Sequence, residues 1–399
     1  MAVSVTTGLG DTSSPLAADL KVSMDTQVGM LDTNTTQFTT LLMKVPASYA
    51  KSFKEEWMED QYLPTSTALA ASATSADTTV TVTTGEGVYG QIGDIIMFVE
   101  SGERARITST FTSAWSVTRA IGTVTAASAA SGTTLGGILI ISNTQQQGST
   151  LPVALVTTKT ATYNYAQIIR NAIRFTGTEL WTGYYSGSQL EYQRRKTGIE
   201  HKRRIEQTLF FGARSYTATS PPRGSAGGLD HYVTTNVTNV AGTFDKGELQ
   251  DFLRSGLEYG NPERKVLFAA PIVAQVCSEF LQDNWVHARP DDNIFGVKVD
   301  FVISGVTGSK IPVFVKNSWK RAGEGTGNHI GSSAYLVDME DVELLRAPST
   351  DAGNGPRFTA LWQKQQAPDA DEEAESWFSE FTFKVKNERH HSILRGATG

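Results

Sequence analysis

The sequence predicts an α+β protein that carries a small all-β insertion, and three observations lead to this fold class. Residues 189–211 read as one long helix, and strand-like segments precede and follow it. Between residues 66 and about 150 the composition shifts to Ser, Thr and Gly, with short β runs. Because hydrophobic periodicity separates helices from strands, these segments predict a mixed body interrupted by a β module.

The totals of the chain limit its class. Its 399 residues suggest two or three domains, and 39% hydrophobic with 19% charged residues is a globular composition. No apolar run is long enough for a signal peptide or a membrane helix, so we expect synthesis in the cytoplasm and no membrane contact. The single cysteine, Cys277, excludes an internal disulfide and a multi-cysteine metal site.

Residues 1 to about 45 are expected to form an extended arm, because their apolar residues follow no sustained period. A terminal segment of this kind is ordered only where something ties it down. It either folds over its own body or is held by a neighbouring subunit, and we favour the neighbour. The next segment, 51–63, has an ambiguous period: Tyr49, Phe53 and Trp57 fit a helix, whereas the spread of charge fits a strand.

The region from 66 to about 150 contains few Lys and Arg residues. "TTVTVTT" alternates, "GDIIMFVE" is a short apolar run, and turns containing glycine separate such runs. Short β runs at regular spacing predict a small antiparallel barrel or sandwich.

A strand follows the insertion, and its side chains alternate from residue 169 onward. One face carries Ile169, Ile173 and Phe175, and the other carries Arg170, Ala172 and Arg174. Two capping-box spacings come next, Thr176 with Glu179 and Ser188 with Glu191, and each predicts a helix start. The second helix would run from 189 to 211, about 34 Å, and end at Gly212.

This long helix is rich in basic residues although the whole chain has a net charge of -6. Opposite charges recur four residues apart, a spacing that adds about 0.2–0.5 kcal/mol per pair. The pairs are Glu191–Arg195, Glu200–Arg204 and Lys202–Glu206. A DNA-reading helix would not intersperse glutamates, since each repels phosphate. We favour a strut lying on a mixed sheet, with a weakly positive face toward nucleic acid as a compatible second possibility.

The remaining chain predicts mixed α and β structure. The expected helices are "KGELQDFLRSGLEYG" and "IVAQVCSEFLQDN". The expected strands are "KVLFAAP", "VKVDFVISG", "IPVFVKN", "SAYLVDMEDVELL" and the closing "EFTFKVKNERHHSIL".

No reactive constellation is recognisable. The six histidines lack zinc-site spacing, no nucleophile elbow is present, and the Gly-rich segments do not match a phosphate-binding loop. The acidic run 369–375 could bind a cation but is expected to be a solvated loop. "ERHH" at 388–391 could bind a metal but is expected to be a solvated strand end. Cys277 is expected to lie in the core.

Three stretches, in this order, carry a resemblance to a known family. They are "NYAQIIRNAIRFTGTE", "LEYQRRKTGIEHKRRIEQTLFFG" and "ESWFSEFTFKVKNERHHSILRG". Across about residues 160–399 the chain resembles the major capsid proteins of tailed bacteriophages with the Hong Kong 97-type capsid fold. The nearest resemblance is to a branch in which a small β module interrupts the extended loop. The resemblance implies an N-terminal arm at 1–45, an extended loop at 46–66 and 150–176, a β-barrel-like insertion at 67–149, a peripheral domain at 177–221 and 336–399 with its spine helix at 188–212, and an axial domain at 222–335.

The resemblance also implies a function. Such a chain would assemble into hexamers and pentamers of an icosahedral head that encloses double-stranded DNA, without cofactor or catalysis. Its partners would be further copies of itself, DNA contacted non-specifically, and scaffolding, portal and decoration proteins where present. Two alternatives stay open: a cellular nanocompartment shell of the same fold, or an enzyme whose site no motif reveals.

Charged residues are the predicted contacts between subunits. A two-stranded ribbon is marginally stable alone, so the extended loop is expected to lie on a neighbour, its carboxylates meeting that neighbour's basic groups. The acidic residues are Glu55, Glu56, Glu59 and Asp60. The basic residues are Arg170 and Arg174 on the strand, and Arg194, Arg195, Lys202 and Arg203 on the long helix.

Overall fold

A computed structural model describes residues 36–398 apart from a few internal positions. The positions left out are 47, 123, 185–186, 241, 284–292, 295–296, 299, 304–309, 326, 328 and 350–356. The chain divides into two compact units, one containing the residues up to Trp57 and from Thr162, the other Met58–Ala161. Within the described residues, no helix has the length and apolar character needed to span a membrane.

The elements are numbered here in chain order. The helices are α1 Gln37–Lys44, α2 Gly177–Trp181, α3 Gln189–Phe211, α4 Leu229–Tyr232, α5 Lys246–Gly256 and α6 Pro271–Asp283. The strands are β1 Ser48–Tyr49, β2 Lys54–Glu59, β3 Ser66–Leu69, β4 Thr79–Thr81, β5 Asp94–Phe98, β6 Arg104–Phe111, β7 Ala114–Thr118, β8 Gly132–Asn143, β9 Thr160–Tyr165, β10 Gln167–Thr176, β11 Ser215–Thr217, β12 Arg223–Ser225, β13 Val237–Asn239, β14 Lys265–Ala269, β15 Asn293–Ile294, β16 Val297–Lys298, β17 Asp300–Ile303, β18 Lys310–Val315, β19 Ala334–Asp338, β20 Val342–Arg346, β21 Ala360–Trp362, β22 Glu372–Val385 and β23 Ser392–Arg395.

The first sheet of the larger unit has the order β1-β20-β22-β10, with β21 also paired to β22. β10 runs antiparallel to β22, from Gln167 opposite Phe381 to Thr176 opposite Glu372. Its side chains alternate between buried and exposed, with Ile169 buried, which confirms the alternation read from the sequence. Helix α3 contacts both β10 and β22, so the strut on a mixed sheet is also confirmed.

The second sheet has the order β13-β23-β19-β14-β18-β17. Its central strand β14 is buried along its whole length, and α5 and α6 contribute apolar residues to the core beside it. The expectation of one strand over 333–345 is wrong, because β19 belongs to this sheet and β20 to the first. Asp338 ends β19 by accepting a hydrogen bond from the Glu340 N–H (3.1 Å), a side-chain turn that breaks the extended run.

The smaller unit contains the all-β insertion. Its strands follow the order β3-β8-β5-β6-β7-β4, all pairs antiparallel. A bridge between Leu69 and Val82 joins the two ends of this order and closes the sheet on itself. Trp115 is fully buried in its core. Near the core, the buried Glu103 carboxylate accepts hydrogen bonds from Arg119 Nε at 2.7 Å and from the Ala127 N–H at 2.9 Å.

Strands β2 and β9 pair with each other as a two-stranded sheet. The ambiguous segment 51–63 therefore contains a strand rather than a helix. Along β2, Trp57 is the buried side chain, and the charged residues on either side of it are exposed or half-buried.

The expectation of an extended conformation is wrong for residues 37–44, the part of the first 45 residues that can be compared. Residues 37–44 form helix α1 rather than an extended arm, and they pack on their own chain rather than requiring a neighbour. Phe38 is fully buried, with its ring centroid 4.9 Å from that of Phe210 and 5.0 Å from that of Phe268. Residues 1–35 lie outside the described residues.

A carboxylate from α3 fixes the start of α1. Glu206 accepts hydrogen bonds from the Phe38 N–H (3.1 Å) and the Thr39 N–H (2.7 Å). These are two of the N–H groups that a helix N-terminus leaves without partners. The same carboxylate pairs with the ammonium of Lys316, which is buried and also donates to Gln37 Oε1 at 2.7 Å. Burial lowers the pKa of Lys316, so the charged form depends on Glu206.

The first prediction concerns this buried ion pair. Glu206→Gln should lower the free energy of unfolding by about 3–5 kcal/mol, because it leaves the Lys316 ammonium buried without a counter-ion. Urea unfolding of the unassembled subunit measures the loss, and trypsin cleavage after Lys44 should become faster as α1 loosens.

Glu200→Gln is the matched control. Glu200 lies on the same helix and has no ion-pair partner among the described residues, so its loss should change stability by no more than about 0.5 kcal/mol. Equal losses in both variants would refute the role assigned to Glu206.

Candidate assembly surface

Helix α3 carries four of the ten predicted contact residues, and its sequence-derived bounds are confirmed. Ser188 accepts a hydrogen bond from the Glu191 N–H at 3.5 Å, and the last helical residue is Phe211. Gly212 follows, as expected, but for a different reason. Its φ of -60° is not left-handed. A Cβ at this position would lie 2.4 Å from the Ala226 carbonyl oxygen, so the site requires glycine for its small size.

Arg194 forms an ion pair within its own chain. Its Nε donates to Glu375 Oε2 at 2.6 Å, and its Nη2 donates to Glu375 Oε1, which makes the pair bidentate. The Glu375 side chain is fully buried, while 26% of the Arg194 side chain is exposed. One turn further along, a Cβ on Gly198 would lie 3.0 Å from the Trp377 ring, and the Trp377 indole N–H donates to the Arg194 carbonyl at 3.0 Å. This end of α3 is therefore locked onto β22.

His201 forms a second polar connection from α3 to the sheet. Its ring nitrogens lie 3.1 Å from Asn171 Oδ1 on β10 and 2.7 Å from Ser379 Oγ on β22. The imidazole is fully buried, and burial, with the nearby Arg204 charge, lowers its pKa to about 4. It is therefore neutral at physiological pH and has a structural role.

The expected charge pairs along α3 are wrong. Glu206 turns inward to Lys316 instead of pairing with Lys202. Neither Glu191–Arg195 nor Glu200–Arg204 forms an ion pair among the residues that the structure describes. Arg195 is exposed and Lys202 half-buried, and within the described ranges neither has an ionic partner. Arg203 takes part in an interaction within the chain.

The two arginines of β10 also have partners on their own chain. Arg170 donates to Ser376 Oγ at 3.1 Å and to Gln365 Oε1 at 2.7 Å. Arg174 forms an ion pair with Glu372, although 66% of the arginine side chain is exposed. Both side chains thus lie across the exposed face of the first sheet.

The four acidic residues of the first loop strand differ in what they contact. Glu55 accepts hydrogen bonds from the backbone N–H groups of Lys51 and Ser52. Glu56 is exposed and pairs with Lys54 on the same face, and Glu59 has an interaction within the chain. Asp60 is exposed and, among the described residues, accepts a hydrogen bond only from the N–H of its neighbour Gln61, at 2.9 Å.

Two other sequence expectations need correction. The acidic run 369–375 is not a solvated loop, because Glu372 begins strand β22 and Glu375 is buried. The stretch 388–391 is not a solvated strand end, because His391 is 1% exposed. Burial lowers the pKa of His391 to about 4.

Asp338, Asp341 and His390 are near enough to one another to hold a metal ion. Lys265 sits beside them, donating to the carbonyls of Gly256 (2.6 Å) and His390 (2.8 Å). The Lys265 ammonium balances part of the negative charge of Asp338 and Asp341, so this cluster does not require a metal ion.

Cys277 lies in the core as expected, and burial raises its pKa to about 12. A thiol that stays protonated at neutral pH is a poor nucleophile.

The second prediction tests the Arg194–Glu375 pair. Arg194→Met should lower the free energy of unfolding by about 3–5 kcal/mol, because Glu375 would remain as a buried, unpaired charge. Adding Glu375→Met should recover most of that loss. Arg195→Met, one residue along and without an ionic partner, is the control and should stay within about 0.5 kcal/mol of the wild type in the same urea titration.

The third prediction concerns pH. Because His201 and His391 have a pKa of about 4 in the folded chain and near 6.5 when unfolded, the unfolded state binds more protons between these values. Stability should be unaffected by these groups above pH 6.5 and fall as the pH drops toward 4, by up to about 1.4 kcal/mol per pH unit for each histidine. His201→Gln should flatten the melting-temperature profile from pH 6.5 to 5, whereas the exposed control His329→Gln should not.

Comparison with known proteins gives one family match and structural neighbours. Residues 5–398 match the family model for the SU10 major capsid protein. The capsid of cyanophage A-1(L) is 10% identical, with 96% of this chain and 98% of that chain covered and a TM-score of 0.53. The mature capsid of bacteriophage PhiM1 is 9% identical, covering 97% of this chain and 94% of that one, at a TM-score of 0.48. No curated protein sequence matches.

An encapsulin complex is also similar. The holo-SrpI encapsulin complex from Synechococcus elongatus is 12% identical, with 61% of this chain and 78% of that chain covered and a TM-score of 0.43. The cyanophage likeness shows the Hong Kong 97-type capsid fold, and the family model covers nearly the whole chain. The chain therefore belongs to the SU10 major capsid protein family and is a tailed-phage major capsid protein, a structural component of an icosahedral capsid.

Proposed function

We propose that this chain forms the hexamers and pentamers of a phage head that encloses double-stranded DNA, and that it has no catalytic activity. The family match over residues 5–398 carries the proposal. It is supported by the described residues, in which the buried charges of Glu206, Lys316 and Glu375 are paired within the chain. The chain would be made in the host cytoplasm and end in the virion.

The proposed roles of the chain segments follow the capsid fold. Residues 1–45 act as the arm, 46–66 with 150–176 as the extended loop, and 67–149 as its insertion. The peripheral domain comprises 177–221 and 336–399, and the axial domain 222–335. Packaged DNA is contacted non-specifically through exposed basic groups, and scaffolding, portal and decoration proteins are proposed as further partners.

The proposed contact between subunits is electrostatic, and it involves fewer residues than the sequence alone suggested. Arg194 forms an ion pair with Glu375 of its own chain, and Glu55 accepts a hydrogen bond from the nearby Ser52 N–H. On the acidic side this leaves Asp60, which is exposed, and Glu56, whose pair with Lys54 is itself exposed to solvent. On α3 it leaves Arg195 and Lys202, which have no ionic partner in the described part of the chain. We propose that the acidic strand of one copy meets this basic face of the next, setting register more than affinity.

The nanocompartment alternative has less support. The encapsulin likeness covers 61% of this chain, whereas the phage capsid family model spans residues 5–398. The two functions differ in their contents, which are DNA in one case and cargo enzymes in the other.

The fourth prediction tests the contact. Glu56→Lys with Asp60→Lys should leave the subunit folded by circular dichroism but reduce shell formation at least tenfold, as counted by negative-stain electron microscopy at low salt. Like charges would then face each other across the interface. Adding Arg195→Glu with Lys202→Glu should restore part of the assembly, because the pairing is re-created with reversed signs.

Glu258→Lys is the control, since Glu258 is exposed and far along the chain from both surfaces. Normal shells from the reversed loop would show that this contact is not electrostatic. If the wild-type chain gives only small discrete particles under every assembly condition, the capsid function itself is refuted.

A further inference from the structure

The all-β insertion has an apolar outer surface on one side. Ile96 and Phe98 of β5 point into the core of the insertion, so the residues beside them face outward, because the side chains of a strand alternate. The same alternation in β8, where Ile138 is buried, directs its neighbour Leu139 outward. We define the apolar face as the outward apolar side chains of β5, β8 and the turn after β5, which are Ile95, Met97, Val99, Leu139 and Ile141.

The members of the apolar face adjoin one another. Met97 lies opposite Leu139 in the pairing of β5 with β8, and residues directly opposite in an antiparallel pair have Cβ atoms about 5 Å apart. Val99 and Ile141, at the two ends of the face, are 57% and 46% exposed. Apolar side chains exposed singly are normal on a soluble protein, whereas a contiguous group marks an interaction site.

The opposite side of the same closed sheet is polar. The outward side chains of β4 and β7 carry hydroxyl groups at Thr79, Thr81, Ser116 and Thr118. The fold of the insertion therefore does not itself require an apolar outer surface. Because closure of the sheet pairs its end strands, a partner would bind the insertion through a face rather than through a free strand edge.

Charged residues border the apolar face. Arg104 and Arg106 lie along one side of it, in the neighbouring strand β6, and among the described residues neither side chain has a hydrogen-bond or ionic partner. Arg106 is opposite Ile95, near the start of β5. Glu100 is exposed at the other end, in the turn after β5, and its carboxylate accepts a hydrogen bond from the Ala130 N–H at 2.7 Å.

This distribution makes the face complementary to itself. A two-fold axis through its centre turns one copy end for end, and each copy then contributes the same patch to the contact. Glu100 of each copy would lie beside Arg106 of the other, and Val99 of each copy beside Ile141 of the other. Apolar side chains would thus meet in the middle, with opposite charges at both ends.

We propose that the apolar face of one insertion binds the apolar face of a second copy across a two-fold axis of the shell. An icosahedral capsid has two-fold axes, and only a surface that fits itself can meet there. Burial of the apolar face stabilises the contact, and the two Glu100–Arg106 pairs set its register. The inference rests on the proposed assembly into a shell, and it assigns to the insertion the role of joining neighbouring capsomers.

The fifth prediction places charge in the apolar face. Val99→Lys with Ile141→Lys should leave the melting temperature of the unassembled subunit within a few degrees of the wild type, because both side chains are exposed. Purified subunits should form about tenfold fewer shells, counted by negative-stain electron microscopy, because four lysines would meet across each contact. The matched control is Thr81→Lys with Thr118→Lys on the polar side of the same sheet, which should assemble normally.

A charge exchange tests the register. Arg106→Glu should reduce the yield of shells, because two carboxylates would then face each other at each end of the contact. Adding Glu100→Arg in the same chain should restore the yield, since both copies carry the exchange. Unchanged assembly of Arg106→Glu, or no recovery on adding Glu100→Arg, would overturn the proposed two-fold arrangement.

Disulfide formation tests the symmetry directly. The only native cysteine, Cys277, is buried, so a cysteine placed in the apolar face is the one exposed thiol. Cysteine is introduced singly at Met97, Val99, Leu139 or Ile141, and assembled shells are oxidised. At least one position should give disulfide-linked dimers and no larger species on a non-reducing gel, because a two-fold contact joins each residue near the axis to its own copy. Thr118→Cys is the control and should remain monomeric.

The outcomes separate this inference from the capsid function. Normal shells from Val99→Lys with Ile141→Lys, or dimers at none of the four positions, would overturn the inference while leaving the capsid function intact. A defect seen in virions from infected cells but not with purified subunits would show that a separate protein covers the apolar face, which also overturns the proposal. A wild-type chain that forms no shells would refute the proposed function and this inference with it.

Discussion

The larger unit depends on the hydrogen bonds and the ion pair that the carboxylate of Glu206 forms. This carboxylate joins three parts of the chain that are far apart in sequence: the start of α1, the second half of α3, and Lys316 just after β18. Because β18 belongs to the second sheet and α3 lies on the first, this carboxylate links the two sheets through a helix. Its surroundings are apolar and aromatic, where an unpaired charge would cost several kcal/mol. The ion pair thus favours one arrangement of these elements over looser ones.

Local signals in the sequence were enough to place the main elements. The bounds of α3 follow from a capping serine and a terminal glycine, and the alternation of β10 follows from its apolar residues. The all-β insertion follows from composition. These features depend on residues close together in the chain, which is why periodicity and capping rules reveal them. The order of three capsid-like stretches then indicated the fold that the family match supports.

Long-range polar contacts could not be read in the same way. Glu206 and Glu375 look like surface charges in sequence, yet each is buried against a cation more than 100 residues away. Helix α1 was missed because its eight residues carry no capping signal of their own: the cap comes from α3. The charged residues proposed for the contact between subunits were chosen from the sequence as a set. Which of them stay inside the subunit depends on tertiary partners, and no spacing rule supplies those.

The aromatic site that buries Phe38 has a consequence for the order in which a newly made chain folds. Its ring lies 5.0 Å from that of Phe268 and 6.1 Å from that of Phe383, so its binding site is incomplete until the final strands have left the ribosome. Helix α1, the first helix among the described residues, thus completes these contacts only after loops of several hundred residues have closed. A subunit truncated before β22 therefore lacks Phe383, which is part of the site that holds α1.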